Sequence, residues 1–230
     1  SCDWPIVSRP KEFSQMNDPE EVKVLRDQLM GRGLLEADIV DNPIDFFKEW
    51  LTTAQDLGFY NAEAMVVSTV SDNAIPSMRN VLMRGLSTKG LIFYTNYLSQ
   101  KGRELDANPF AASIFSWLPL ERQVRFSGSV AKISVDVSDN YFQRRARESR
   151  ISAIVSKQSE VVSGRGELEL LWANLFNESN GADLSRPVHW GGYQLIPNRI
   201  EFWQGRPNRL HDRLLYEKLP EGWAVSRLAP

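Results

Sequence analysis

Residues 64–95 read AMVVSTVSDNAIPSMRNVLMRGLSTKGLIFYT. Two breaks, SDNA and STKG, divide the stretch into runs at 64–70, 76–86 and 91–95. The runs are short and apolar, with β-branched or aromatic residues at most alternate places, so they predict strands joined by tight turns. The same texture continues in AASIFSW (111–117) and in RQVRFSGSVAKI (122–133), where apolar and polar residues alternate. YQLI, RIEFW, RLLYE and WAVSRL supply further strands towards the C-terminus. Helical patterns surround them. NPIDFFKEWLTTAQDLG has an N-cap in Asn42, a proline at the first helical position, a stripe of Ile44, Phe47, Leu51 and Ala54, and a stop at Gly58. Others are expected at 19–30, 99–106, 138–147 and 167–176. No helix recurs between every pair of strands. The expected fold is therefore mainly β with peripheral helices (α+β), an antiparallel barrel. Residues 41–230 read as one domain, and residues 1–40, polar and broken by prolines, as an arm or lid that is partly disordered.

Composition narrows the function. The chain has 230 residues, 42% hydrophobic and 24% charged, with a net charge of −2. That charge gives no global field for nucleic acid or an anionic membrane. A single cysteine, Cys2, excludes an internal disulfide and a thiolate metal site, and fits a reducing compartment. No apolar run is long enough to span a bilayer and no signal peptide is read at the start. There is no Gly-rich dinucleotide fingerprint, no phosphate loop and no metal or triad motif, so the chemistry is expected to come from a cofactor.

Three clusters carry charge where an anion could sit. EFWQGRPNRLHDR (201–213) leads into NRLHDRLLYE (208–217), where a strand would place Arg209, His211 and Arg213 on one face, about 7 Å apart in succession. At that spacing neighbouring charges repel by roughly 2 kcal/mol, tolerable in water and favourable across an anion. A solvated strand face is the competing reading. A bond from His211 to Asp212 is disfavoured, because the two would point opposite ways. In YFQRRARES, Tyr141, Arg145 and Ser149 would share a helix face that suits a phosphate, unless the stretch is an ordinary basic surface. In SMRNVLMRG, Arg79 and Arg84 would face opposite ways unless a bulge intervenes. Lys101 opens a short helix whose N-terminus is a candidate phosphate seat. His189, in HWGG, reads as structural.

Taken together, VSKQS, HWGGY, IEFWQG with NRLHDR, and the terminal RLAP resemble the pyridoxamine/pyridoxine 5′-phosphate oxidase family over residues 40–230. NRLHDR after FWQG is the most specific of these motifs. The resemblance implies a split β-barrel homodimer with FMN at the subunit interface, in the cytoplasm or, alternatively, the mitochondrion. It implies flavin contacts from Arg79, Asn80, Val81, Leu82, Met83 and Arg84, from Tyr94 and Thr95, and from Gln100 and Lys101. Gln123, Gln158, Ser159, Trp203 and Arg213 complete that set. Arg84, Tyr141, Arg145 and Ser149 would hold the substrate phosphate. Arg209, Leu210 and His211 would touch the pyridine, with Arg209 and His211 as the catalytic pair. The implied reaction oxidises pyridoxamine or pyridoxine 5′-phosphate to pyridoxal 5′-phosphate, with O2 as acceptor and no metal. The alternative is a split barrel that holds FMN or pyridoxal phosphate with weak turnover or none. Four places depart from the family pattern: Arg84 replaces a lysine, SQK replaces SRK at Gln100, Arg144 and Ala146 replace an SRP triplet, and Leu29 replaces an arm tyrosine beside Arg26.

Overall fold

The computed structural model describes residues 19–230. Nine strands, all paired antiparallel, form the body: β1 (Ala64–Val70), β2 (Pro76–Leu82), β3 (Gly85–Ser87), β4 (Gly90–Asn96), β5 (Phe110–Trp117), β6 (Arg122–Lys132), β7 (Trp190–Gln204), β8 (Asp212–Lys218) and β9 (Trp223–Arg227). The main path runs β2-β1-β5-β6-β7-β4-β3, and β2 and β3 end it without pairing to each other. The barrel is therefore split. β7 pairs with β6 along one edge. On its other edge it pairs with β4 up to Leu195 and with β8 from Arg199. Pro197 falls in the gap between those partners, where a missing N–H costs least. A bulge at Ser127/Gly128 opposes it, and a Cβ on Gly128 would overlap the Ile196 carbonyl. YQLI and RIEFW are thus one bent strand rather than two.

The expected strand at 76–86 also resolves differently. The chain changes partner after Leu82: the Met83 N–H bonds the Glu63 carbonyl at 3.0 Å, and the Arg84 N–H bonds Ile92 at 2.7 Å. The run accordingly breaks into β2 and β3. Among the described residues six α-helices lie outside: α1 (Pro19–Arg32), α2 (Pro43–Asp56), α3 (Gln100–Ala107), α4 (Val135–Arg144), α5 (Arg147–Val155) and α6 (Arg165–Glu178). α1 packs on the core through Val22, Leu25 and Leu29. The expected disorder of residues 1–40 falls, over residues 1–18, outside the described residues.

α2 packs its apolar face on the core. Its whole predicted stripe is buried, together with Phe46 and Trp50. Phe47 lies 4.7 Å from Phe115 and 5.0 Å from Phe126, ring centre to ring centre, and Phe46 lies 4.5 Å from Phe202. Each such ring contributes about 2 kcal/mol by leaving water. The Asn42 side chain caps the helix, accepting the Ile44 N–H at 3.0 Å. Asn42→Ala is expected to lower stability by about 1 kcal/mol in urea melts, with the m-value unchanged.

Candidate functional site

A cleft of about 660 Å³ opens where β2, β4, α3, α4 and α5 meet β7. Its walls bring together Asn80, Val81, Leu82, Arg84, Tyr94, Thr95, Lys101 and Gln158, all expected at a flavin, with Tyr141, Arg145 and Ser149, expected at a phosphate. α3 supplies Lys101 from its first turn, with Ser99 as N-cap. The ammonium is buried and donates to Thr95 Oγ1 and Gln158 Oε1, each at 3.0 Å. Burial, and then the nearby Arg79 charge, push its pKa down to about 8. The nearby Glu104 carboxylate offsets this only in part.

Tyr141, Arg145 and Ser149 converge by a different route from the expected helix face. α4 ends at Arg144, Arg145 takes an extended backbone, and Ser149 sits in the first turn of α5. The break has a physical purpose. Arg145 leaves the helix with its N–H on the Phe142 carbonyl, and its guanidinium lies 4.7 Å over the Trp190 ring. Tyr94 stacks on Tyr141 at 3.8 Å, and Trp190 continues the stack at 5.5 Å from Tyr94. Burial lowers the Arg145 pKa, yet a guanidinium stays protonated. Its Nη1 is buried without a hydrogen-bond partner. A buried N–H of this kind is costly unless a ligand accepts from it. Arg84, by contrast, already pairs with Glu63 at 3.3 Å, and Glu63 is 2% exposed.

A second group forms elsewhere. Gln123, Trp203 and Arg213 are direct neighbours across β6, β7 and β8. Their strand neighbours Val124, Phe202 and Leu214 are buried in the core, so this row points to the other face. Glu201, 6% exposed, fixes Arg213: Oε1 accepts from Nε at 2.8 Å, and Arg125 pairs with the same carboxylate. Burial works to raise the Glu201 pKa, but bonds from Arg213 and Arg125 hold it below the usual range. A groove of about 370 Å³ continues from the row, floored by Val66, Met78, Ile114 and Leu215. The row does not line the first cleft. Trp190 and Trp203 stand near opposite ends of β7, up to about 43 Å apart along extended chain.

The stretch from Arg206 to His211 corrects the sequence expectation. It is a tight turn, not a strand, and β8 begins only at Asp212. Strict alternation of Arg209, His211 and Arg213 on one strand face is therefore lost. Asn208 and Arg209 both adopt left-handed backbone, φ 60° and 61°, a strained choice for two consecutive non-glycine residues. His211 packs on Trp203, ring centres 4.7 Å apart, so it still joins the row of Gln123, Trp203 and Arg213. Its Nδ1 accepts the Arg206 N–H at 3.1 Å, which puts the ring proton on Nε2. Leu210 is exposed.

Some expected contacts sit apart from both groups. Arg79 Nη2 donates to Ser77 Oγ at 2.5 Å and pairs with Glu104 at 3.4 Å, behind α3. Gln100 also bonds Glu104, at 2.9 Å. Met83 is fully buried in the core, and Ser159 lies on an exposed left-handed turn. His189 contacts the Ala153 carbonyl at 3.4 Å. Sequence reasoning missed Trp190, Glu63 and Glu201. Trp190 announced itself in HWGG, whereas the two glutamates meet arginines that no spacing links to them. Among the described residues, no group of three or more His, Cys, Asp or Glu is placed to hold a metal. No helix among them is long and apolar enough to cross a membrane.

Comparisons with known proteins bear on the family and the fold. The family model described as pyridoxamine 5′-phosphate oxidase matches residues 52–175, and that of the pyridoxine 5′-phosphate oxidase C-terminal dimerisation region matches 190–230. The pyridoxine/pyridoxamine 5′-phosphate oxidase of Microcystis aeruginosa is 48% identical over 198 residues, covering 86% of this chain and 92% of its own. That of Burkholderia multivorans is 46% identical over 198 residues, covering 85% and 92%. Among solved structures, PhzG from Burkholderia lata, in complex with tetrahydrophenazine-1-carboxylic acid, superposes with a TM-score of 0.81 at 29% identity, covering 86% of this chain and 98% of that one.

Proposed function

Because the chain belongs to the pyridoxine/pyridoxamine 5′-phosphate oxidase family, we propose that it oxidises pyridoxamine or pyridoxine 5′-phosphate to pyridoxal 5′-phosphate with FMN as cofactor. The carrying observation is the unpartnered Nη1 of Arg145 in a cleft that also holds Arg84 and the desolvated Lys101. The donor set fits a flavin and a phosphate side by side. Lys101 and Gln158, with Asn80, Tyr94 and Thr95, would hold FMN. Arg145, Tyr141, Ser149 and Arg84 would hold the substrate phosphate. When bound, FMN would supply two-electron oxidation at the substrate 4′ carbon, with O2 as the final acceptor and hydrogen peroxide as its product. From pyridoxamine 5′-phosphate the other products, after water adds, are pyridoxal 5′-phosphate and ammonia. The chain's own part is positioning and charge.

The second row supports a homodimer. We read the outer groove and the row of Gln123, Trp203 and Arg213 as an interface with a second copy, in line with the dimerisation region matched over 190–230. Each cleft would then be completed by the row of the partner. In that arrangement Arg213 faces the flavin, held by Glu201. His211 offers an Nε2 proton and Arg209 a charge to the substrate ring. Residues 41–230 would form the catalytic body, with the preceding segment as its arm.

Arg209→Ala and His211→Ala are expected to lower kcat/KM by about tenfold or more while bound flavin is kept, and Arg213→Ala to lose flavin first. Flavin content and rate measured on the three variants check this. Equal losses of both in all three would contradict it. The test of the reading itself is one pyridoxal 5′-phosphate and one peroxide formed per O2 consumed. A weakly active binding protein is the second reading, favoured by Glu63 neutralising Arg84; bound flavin without turnover would select it.

A further inference from the structure

One polar cluster has no part in the site as described: the contacts between the segment leaving α1 and the turn that carries Arg209 and His211. Asp212 follows His211 directly. Its Oδ2 accepts the Leu34 N–H at 3.0 Å, its Oδ1 accepts from Arg227 Nη1 at 2.7 Å, and Arg206 Nε lies 3.6 Å away. Arg227 also donates to the Leu34 carbonyl at 2.8 Å and pairs with Glu36 at 2.7 Å. Arg206 works on both sides. Its Nη1 donates to the Gly31 carbonyl at 3.0 Å, while its backbone N–H holds His211 Nδ1. Gly33 sits between them at φ +72°, and a Cβ there would overlap Arg206 Nη1 and Asp212 Oδ2. Only glycine permits both that backbone and that approach. Leu34, 3% exposed in the core, pins the segment beneath.

We propose that Asp212 is a positioning residue that couples the segment after α1 to the substrate-facing turn. Through Leu34, Arg206 and Arg227 it fixes where Arg209 and His211 point. Two facts make the coupling more than general stabilisation. The turn contains two consecutive left-handed residues, a conformation that persists only where surrounding contacts over-determine it. The same Arg206 that grips Gly31 also sets the ring of His211. Release of the segment would therefore loosen the ring and let the turn relax away from its strained form. The proposal rests on the oxidase reading given above.

The test uses the flavin-loaded enzyme and the variants Asp212→Asn, Arg227→Gln and Gly33→Ala, with the Gly33→Ala/Asp212→Asn double. Each single change is expected to lower kcat/KM for pyridoxamine 5′-phosphate by ~10- to 100-fold with flavin content unchanged. Because the two sites act through one latch, the double variant should lose no more than about twofold beyond the worse single. Rates within about twofold of wild type, losses that multiply in the double, or flavin lost in step with rate would each overturn the proposal. Should Asp212→Asn not fold, Arg227→Gln, at an exposed position, decides by the same criteria. A wild-type enzyme that makes no pyridoxal 5′-phosphate fails the oxidase reading and this proposal together. An active wild type with unaffected variants fails this proposal alone.

Discussion

Arg145→Met is expected to raise KM for pyridoxamine 5′-phosphate by roughly 30- to 150-fold, with bound flavin kept and kcat little changed. The guanidinium is half-buried, lies over Trp190 and leaves its buried Nη1 without a partner inside the chain. A charge-assisted bond to a phosphate in that setting is worth about 2–3 kcal/mol. Methionine keeps the length and the contact with the indole but removes the charge. Oxidation of unphosphorylated pyridoxamine should be the same in both proteins, since no phosphate is there to be lost. Steady-state kinetics with the two substrates separate the cases. Arg84→Met is a poorer probe, because it strands the buried Glu63 carboxylate and mixes stability with binding. A KM for the phosphorylated substrate that stays within about threefold of wild type would remove Arg145 from the phosphate site.

Lys101→Met is expected to act in opposite directions on the fold and on the cofactor. In the flavin-free protein the folded pKa of Lys101 is about 8, below its ordinary 10.5, because burial and the Arg79 charge disfavour the ammonium. At pH values below about 8 the lysine is charged in both folded and unfolded chains, and the folded chain bears the full penalty. That penalty is on the order of 3 kcal/mol. It is relieved as pH rises from about 8 to 10.5, where the folded protein releases its proton first. Flavin-free stability should therefore climb across that window. Removing the amine also forfeits its bonds to Thr95 and Gln158, so the net gain near pH 7 is expected to be about 1–2 kcal/mol. FMN affinity should fall by about 100-fold, because on this reading the anionic cofactor would neutralise the buried cation. Urea melts of the flavin-free protein near pH 7 and near pH 10, with an FMN titration of each form, read both effects. A destabilised variant with unchanged FMN affinity would make Lys101 purely structural.

The strands were legible where a local pattern specifies them. Residues 64–70 read as a strand from their apolar run and appear as β1 without change. α2 was equally open to reading, since cap, first-position proline, stripe and stop all agree. What stayed hidden depends on partners distant in sequence. The break of 76–86 into β2 and β3 occurs because Met83 bonds Glu63 while Arg84 bonds Ile92. YQLI and RIEFW read as two strands, yet Pro197 between them sits inside β7 because that strand changes partner there. Residues 208–211 looked like the start of a strand because the charges at 209, 211 and 213 alternate, although Gly205, Pro207 and Asn208 are turn formers and Asn tolerates left-handed backbone. The site divides the same way. Much of the cleft's lining was visible in motifs, though Trp190 was missed, and Tyr141, Arg145 and Ser149 converge through a helix break. The glutamates that hold Arg84 and Arg213 were not visible, because ion pairs across strands have no fixed spacing.

The most direct test of the account is the visible absorption of the purified protein, recorded anaerobically before and after pyridoxamine 5′-phosphate is added. A cleft that seats a flavin beside the phosphorylated pyridine predicts a bound-flavin spectrum that bleaches on mixing and returns when air is admitted, with pyridoxal 5′-phosphate formed. A flavin band that stays unbleached under saturating substrate would contradict it.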